Sequence, residues 1–197
     1  MTRKNNTTYI IIGIVAIAAF VLGAAFFNTK SAGQNREQAA LNTGSLVGKP
    51  LPDVQLFDKK GNAYDLNVLK GKNVVLFFNE GLMCYPACWN QITSFAVDPR
   101  FNGSDTVAIS VVVDSPQDWQ QAITKMPELA KATTLFDKNA NTSRTLGLLS
   151  AGSSMHAGQL PGHSYVLVDT LGIVREVFDD PNMGINNDKI MEKISKF

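Results

Sequence analysis

The run Asn73-Val-Val-Leu-Phe-Phe78 decides how this chain folds, together with the stretch that follows Asn79 and Glu80, Gly81-Leu-Met-Cys-Tyr-Pro-Ala-Cys-Trp-Asn-Gln91. An unbroken apolar run bounded by polar residues reads as a strand covered on both faces, at the centre of a sheet. Cys88 to Phe95 then reads as a helix start. Cys84 and Cys88 are the only two cysteines of the chain, and both fall where the strand hands over to the helix. A helix N-terminus favours negative charge and lowers the pKa of a thiol placed there. A Cys-x-x-x-Cys at such a junction can make a reversible disulfide, a reactive thiolate or a soft-metal clamp. Two bland readings compete: unrelated thiols packed as small hydrophobes, or a static bridge, which closes too short a loop to restrict much chain. The shared position at one junction favours chemistry. Residues at i and i+4 of a regular helix reach a disulfide only if the first turn is distorted, so the expectation is a bond that forms in oxidant and reduces readily, with local rearrangement.

Outward from this junction, strand and helix signals alternate. Val54 to Phe57 reads as a short strand, Asp58-Lys-Lys-Gly61 as a turn, and Tyr64 to Leu69 as the close of that opening element. Thr106 to Val113 is a second buried strand. Asp114 to Asp118 carries helix-start signals before Trp119 to Met126. Thr134 to Phe136 is a short strand and Ser143 to Leu149 a short helix. Ser164 to Val168 reads as a third central strand, turned by Asp169-Thr-Leu-Gly172 into a hairpin partner, Ile173 to Phe178. Asp188 to Phe197 is a closing amphipathic helix. This order implies an α/β fold with a mixed central sheet flanked by helices.

The chain has 197 residues, 45% hydrophobic, with a formal net charge of +1. That supports one domain with a core and an appendage. Near-neutral charge, without a basic block beyond the first residues, gives no electrostatic footprint for nucleic acid. Tyr9 to Phe27 is uncharged and apolar; at about 1.5 Å per residue it matches the roughly 30 Å hydrocarbon core of a bilayer. Arg3 and Lys4 precede it, favouring a cytoplasmic N-terminus and an exported domain. We therefore expect a cytoplasmic tail over 1–8, a transmembrane anchor over 9–27, a flexible tether over 28–44 and a folded domain over 45–197. Gly23-Ala-Ala25 keeps a cleaved signal peptide open, although the apolar run is long for one. No cysteine directly follows the run to carry a lipid. An extracytoplasmic setting also suits a disulfide.

His156 and His163 are the only two histidines, both within Ser154-Met-His-Ala-Gly-Gln-Leu-Pro-Gly-His-Ser164. A lone histidine is more often structural than functional, but both lie in a loop before a central strand. With Cys84 and Cys88 they compose a Cys2His or Cys2His2 set suited to Cu or Zn, with Met155 as a soft thioether. Trp89 reads as a packing cover, Glu80 as a solvated carboxylate beside the thiols, and Asp179-Asp-Pro-Asn182 as a loop without metal-ligand spacing.

From residue 45 to the end, these pieces resemble the thioredoxin fold in its peroxiredoxin form. Val47-Gly-Lys-Pro-Leu-Pro-Asp53, Leu56-Phe-Asp-Lys-Lys-Gly61 and Val74 to Phe78 are similar to the opening of the alkyl hydroperoxide reductase/thiol-specific antioxidant family. Cys88 to Phe95 resembles the helix of that family's peroxidatic cysteine, and Ser110 to Asp114 and Ser164 to Gly172 its later strands. Gly81 and Tyr85 stand where the family has a proline and a threonine, and His163 where it has an arginine. Thioredoxin-like reductases carry a shorter Cys-x-x-Cys here and a proline near the position of Pro161. The copper-delivering Sco proteins carry Cys-x-x-x-Cys and a histidine, matched by Cys84, Cys88 and His163.

The resemblance implies a membrane-anchored, extracytoplasmic thiol oxidoreductase or peroxiredoxin-like antioxidant protein that needs no cofactor and acts on a protein disulfide or a hydroperoxide. Cys84, Cys88 and His163 are its expected site. Cys88 is the nucleophile by the peroxiredoxin likeness and Cys84 by the thioredoxin one. His163, titrating near its ordinary value of about 6.5, is expected to lower the thiol pKa and make reactivity pH-dependent, with arginine a partial substitute. The alternative is a Sco-like copper protein binding through Cys84, Cys88, His163 and His156. A redox-inert interaction platform is the third reading.

Overall fold

A computed structural model describes residues 45–197. The expected tail, anchor and tether lie outside the described residues. Within them, no helix is long and apolar enough to cross a membrane.

Seven strands make one mixed sheet: β1 (Leu56–Phe57), β2 (Ala63–Tyr64), β3 (Asn73–Asn79), β4 (Thr106–Val112), β5 (Thr134–Phe136), β6 (Ser164–Val168) and β7 (Val174–Asp179), in spatial order β2-β1-β5-β4-β3-β6-β7. β3, β4 and β5 run parallel, as helical crossovers require. β6 pairs antiparallel with β3, and β7 antiparallel with β6, which is the hairpin expected around Asp169–Gly172. The turn is held by the Asp169 carboxylate, which accepts from the N–H groups of Leu171 and Ile173, both at 2.9 Å. Among the described residues four α-helices alternate with these strands: α1 (Ala87–Val97), α2 (Pro116–Lys125), α3 (Asn141–Thr145) and α4 (Asn187–Ile194). Ser115 caps α2 by accepting from the N–H of Asp118 at 3.1 Å, with Pro116 pre-set for the first turn. The anticipated helix over Ser143 to Leu149 is broken into α3 and a separate 3-10 turn, Leu148–Ser150, because Gly147 between them adopts φ +71°.

The apolar run of β3 is explained by its two covered faces. Side chains alternate across a strand. Val75 and Phe77 join Tyr165 and Leu167 under α1, α2 and α4, packing on Trp89, Ile92, Phe95, Trp119 and Ile190. Val74, Leu76 and Phe78 face the other way, with Ile109, Val111, Val166, Leu56 and Leu146. Phe77 and Phe78 are both fully buried, each contributing about 1.5–3 kcal/mol of burial. The sheet thus delivers the end of β3 and the start of β6 side by side, through the pairing of Phe78 with Ser164. The two stretches that the sequence marks for chemistry leave the sheet at that edge.

Candidate redox site

The thiol loop is built by the polar residues that end β3. Asn79 is buried; its side-chain amide donates to the carbonyls of Phe77 and Val111, and its oxygen accepts from the N–H of Gly81 at 2.9 Å. Asp114, at the end of β4, accepts from the N–H of Leu82 at 2.9 Å. Burial raises the Asp114 carboxyl above its usual value, and the Leu82 bond opposes that rise. Gly81 has φ +59°, and a Cβ there would overlap the Asp114 carboxylate. The position that holds proline in the resembling family therefore requires glycine in this chain.

Gly81–Cys84 forms one 3-10 turn, Tyr85 is extended (φ −82°, ψ 138°), the Tyr85–Pro86 peptide is cis, and α1 begins at Ala87. Cys88 lies in the first turn of α1, in keeping with its reading as a helix start, and Cys84 lies before it, so the turn between them is unwound as a bridge at this spacing requires. With Tyr85 extended, the two Cα atoms stand 5.4 Å apart and the sulfurs form a disulfide, within the usual span of about 4.4–6.8 Å. Both cysteines are buried. Trp89 closes over the loop, its Nε1–H donating to the Gly81 carbonyl at 3.0 Å and its ring meeting Tyr85 edge-on, as a packing cover does.

His163 arrives from the other stretch. Its N–H donates to the Ser153 hydroxyl at 2.6 Å, and Ser153 in turn donates to Asp179. Gly162, at φ +66°, leaves room for this contact, since a Cβ would overlap Ser153 and Ser154. The imidazole is fully buried against the Phe77 ring. Nδ1 lies 3.4 Å from Cys88 Sγ, and Nε2 lies 2.8 Å from the Tyr165 hydroxyl and 3.2 Å from the Gly184 carbonyl. Burial pushes His163 down to about 4, against the opposing influence of Asp180 and the Gly184 carbonyl. This corrects the expected titration near neutrality: with the disulfide closed the ring is neutral at pH 7. The same burial removes the reason to expect arginine as a substitute, because a guanidinium there would be desolvated. Burial likewise pushes the Tyr165 phenol far above its usual range, so it keeps its proton.

His156 is placed differently. Its Nδ1 lies 3.0 Å from Glu80 Oε2, while the Ser154 hydroxyl and the Met155 N–H donate to Glu80 Oε1 at 2.7 and 3.0 Å. Glu80 is fully buried, correcting its reading as a solvated carboxylate. Three groups from one loop repay its desolvation. The signal available in the sequence was an acidic residue set between a buried strand and a glycine. The residues that surround His163, namely Tyr165, Gln91, Asn186 and Gly184, were read only as strand, helix and loop.

The possible ligand atoms of Cys84, Cys88 and His163 all lie within 4.8 Å of one another. Two sulfurs and one imidazole form a soft donor set that fits Cu(I) or Zn once the disulfide is reduced. His156 is not part of this group and faces Glu80 instead. Met83, Tyr85, Met155 and Ile185 are the exposed apolar residues of the loops that frame the site. A surface cleft of about 360 Å³, lined by Leu51, Tyr64, Leu69 and Leu171, lies at the opposite end of β3 and touches none of the site residues.

Residues 46–194 match the Redoxin family. The chain belongs to the redoxin family. No curated protein matches it. Similar solved structures include the yeast mitochondrial 1-Cys peroxiredoxin (19% identity, 76% of this chain and 74% of that one, TM-score 0.62). Peroxidoxin BcpB from Mycobacterium tuberculosis is similar over 77% of this redoxin and 97% of its own length (19% identity, TM-score 0.61). The pneumococcal exposed lipoprotein thioredoxin Etrx1 from Streptococcus pneumoniae matches 74% of this redoxin with all of its own chain (19% identity, TM-score 0.57). At these identities the likeness carries the thioredoxin-type fold.

Proposed function

We propose that this redoxin is a thiol–disulfide oxidoreductase that cycles between the Cys84–Cys88 disulfide and two thiols. The observation that carries the reading is the disulfide at the strand-to-helix junction with His163 Nδ1 beside Cys88 Sγ. Cys84 sits between the exposed Met83 and Tyr85, whereas Cys88 sits inside the first turn of α1. Cys84 is therefore the sulfur that meets a partner, and Cys88 the one that resolves. The Cys84 thiolate attacks a substrate disulfide, forming a mixed disulfide and expelling one substrate thiolate. Cys88 passes its proton to His163 Nδ1, attacks Cys84 Sγ and expels the second thiolate, which takes the proton. Two protein thiols supply the two electrons that cleave one substrate disulfide.

A neutral imidazole suits this step. Once Cys88 becomes a thiolate, its charge raises the proton affinity of the adjacent ring, and the pair titrates together. The helix N-terminus favours the same thiolate. Tyr85 and His163 occupy the threonine and arginine places of the peroxiredoxin pattern, so a disulfide substrate suits the site better than a hydroperoxide. Single-cysteine variants incubated with a disulfide peptide or with hydrogen peroxide test this. A mixed disulfide trapped at Cys84 in Cys88→Ser is the expected result; adducts at Cys88 alone in Cys84→Ser would reverse the roles.

The second reading is copper binding in the reduced form, supported by the compact Cys84, Cys88 and His163 donor set. Anaerobic titration should give one Cu(I) per chain, abolished in His163→Ala and unaffected in His156→Ala. Binding indifferent to His163 would end it. We further propose that the 9–27 segment anchors the domain on the extracytoplasmic side, where a disulfide persists.

A further inference from the structure

A chain of hydrogen bonds behind His163 has a direction set by groups that can only accept. Asn187 Nδ2 donates to the Ser94 carbonyl at 3.4 Å and to the Asp98 carboxylate at 3.0 Å, so its Oδ1 accepts from Gln91 Nε2 at 2.9 Å. That orients Gln91 Oε1 toward the N–H of Asn186 at 2.7 Å and the Tyr165 hydroxyl at 3.0 Å. Tyr165 gives its single proton to Gln91, leaving its oxygen as an acceptor 2.8 Å from His163 Nε2. The Gly184 carbonyl, also only an acceptor, is 3.2 Å from the same nitrogen. Both contacts are satisfied only when Nε2 carries the proton. The opposite tautomer would set the Nε2 lone pair against the Gly184 carbonyl and point an N–H at Cys88.

We infer that Tyr165 and Gln91 are positioning residues that hold the His163 proton on Nε2 and so present the Nδ1 lone pair to Cys88. This rests on the thiol-redox reading and adds to it the means by which one sulfur is selected. His163 Nδ1 lies 3.4 Å from Cys88 Sγ; the Cys88 thiol has a proton to donate only when the disulfide is reduced, and the tautomer makes Nδ1 an acceptor there before any reaction begins. Phenylalanine at 165 keeps the packing, since the ring stacks on Phe77 and Phe178 at 4.8 and 4.6 Å through its faces, while removing the hydroxyl that links Gln91 to His163.

The test uses the reduced full-length protein labelled with ¹⁵N-histidine. The chain has two histidines, so the spectrum holds two ring systems, and His156 against Glu80 serves as the internal control. Wild type should show His163 with Nε2 protonated and Nδ1 bare. Tyr165→Phe, and independently Gln91→Leu, should raise the Nδ1–H population of His163 without moving His156. In a Cys84→Ser background either change should slow alkylation of Cys88 about five- to tenfold, as expected for loss of a buried hydrogen bond. A wild-type His163 protonated on Nδ1 would overturn the inference, as would an unchanged tautomer in a folded Tyr165→Phe, or slower alkylation without a tautomer shift. Should one variant fail to fold, the wild-type tautomer and the other variant decide. Thiol counting on wild type separately tests the redox reading: a protein that never cycles removes that reading, while the tautomer result still stands or falls alone.

Discussion

At Gly81 one missing Cβ sets the shape of the thiol loop. Its positive φ and the Asp114 carboxylate beside it leave no place for a side chain. Gly81→Ala should cost about 3 kcal/mol from backbone strain and overlap, a Tm fall of roughly 6–12 °C in a domain of this size, read by thermal melting. His163 makes a second prediction at this scale. Its folded pKa of about 4 lies below the unfolded value near 6.5. Below 6.5 the unfolded chain takes up a proton that the folded chain refuses, so stability falls with pH through that window and the loss is complete below about 4. The difference in unfolding free energy between oxidised wild type and His163→Gln should therefore shrink by about 3 kcal/mol from pH 7 to pH 4. A constant difference across that range would mean that His163 is not held neutral. The sequence showed that this residue stands before a central strand, two residues from Tyr165; it could not show the Gly184 contact on its far nitrogen, because that joins a loop twenty-one residues away.

At the scale of elements, the apolar run of β3 and its neighbours was legible because a strand covered on both faces admits no polar residue. The start of α1 at Cys88 was legible to within a residue; the extended Tyr85 that carries Cys84 clear of the helix was not, because the spacing shows only that the turn between the cysteines must be distorted. Glu80 was misread for a related reason: its partners Ser154, Met155 and His156 lie more than seventy residues away, and no local pattern announces them. These bonds clamp the loop carrying His156 onto the end of β3. Glu80→Gln keeps the shape but loses the charge and one acceptor, and should destabilise by about 2 kcal/mol. Backbone amides across residues 153–158 should exchange faster in the variant while those of β3 stay protected. Uniform acceleration over the whole domain would show that Glu80 supports global stability and not this loop.

For the whole molecule, the mixed sheet brings two distant stretches together at the end of β3, and that convergence turns four sequence-marked residues into one redox cluster and one separate hydrogen-bonded clamp. If the 9–27 segment is an anchor, full-length protein should sediment with membranes through a carbonate wash, and external protease should reach the domain. Recovery of a soluble form beginning near Phe26 would identify a cleaved signal instead. The central claim, a reversible Cys84–Cys88 couple, is tested most directly by counting thiols in full-length protein equilibrated across graded dithiol/disulfide buffers. The expected result is a single two-electron transition between two free thiols and none, abolished in either single cysteine variant. Two free thiols persisting in mild oxidant, or a bond that excess dithiol leaves intact in the folded protein, would contradict it.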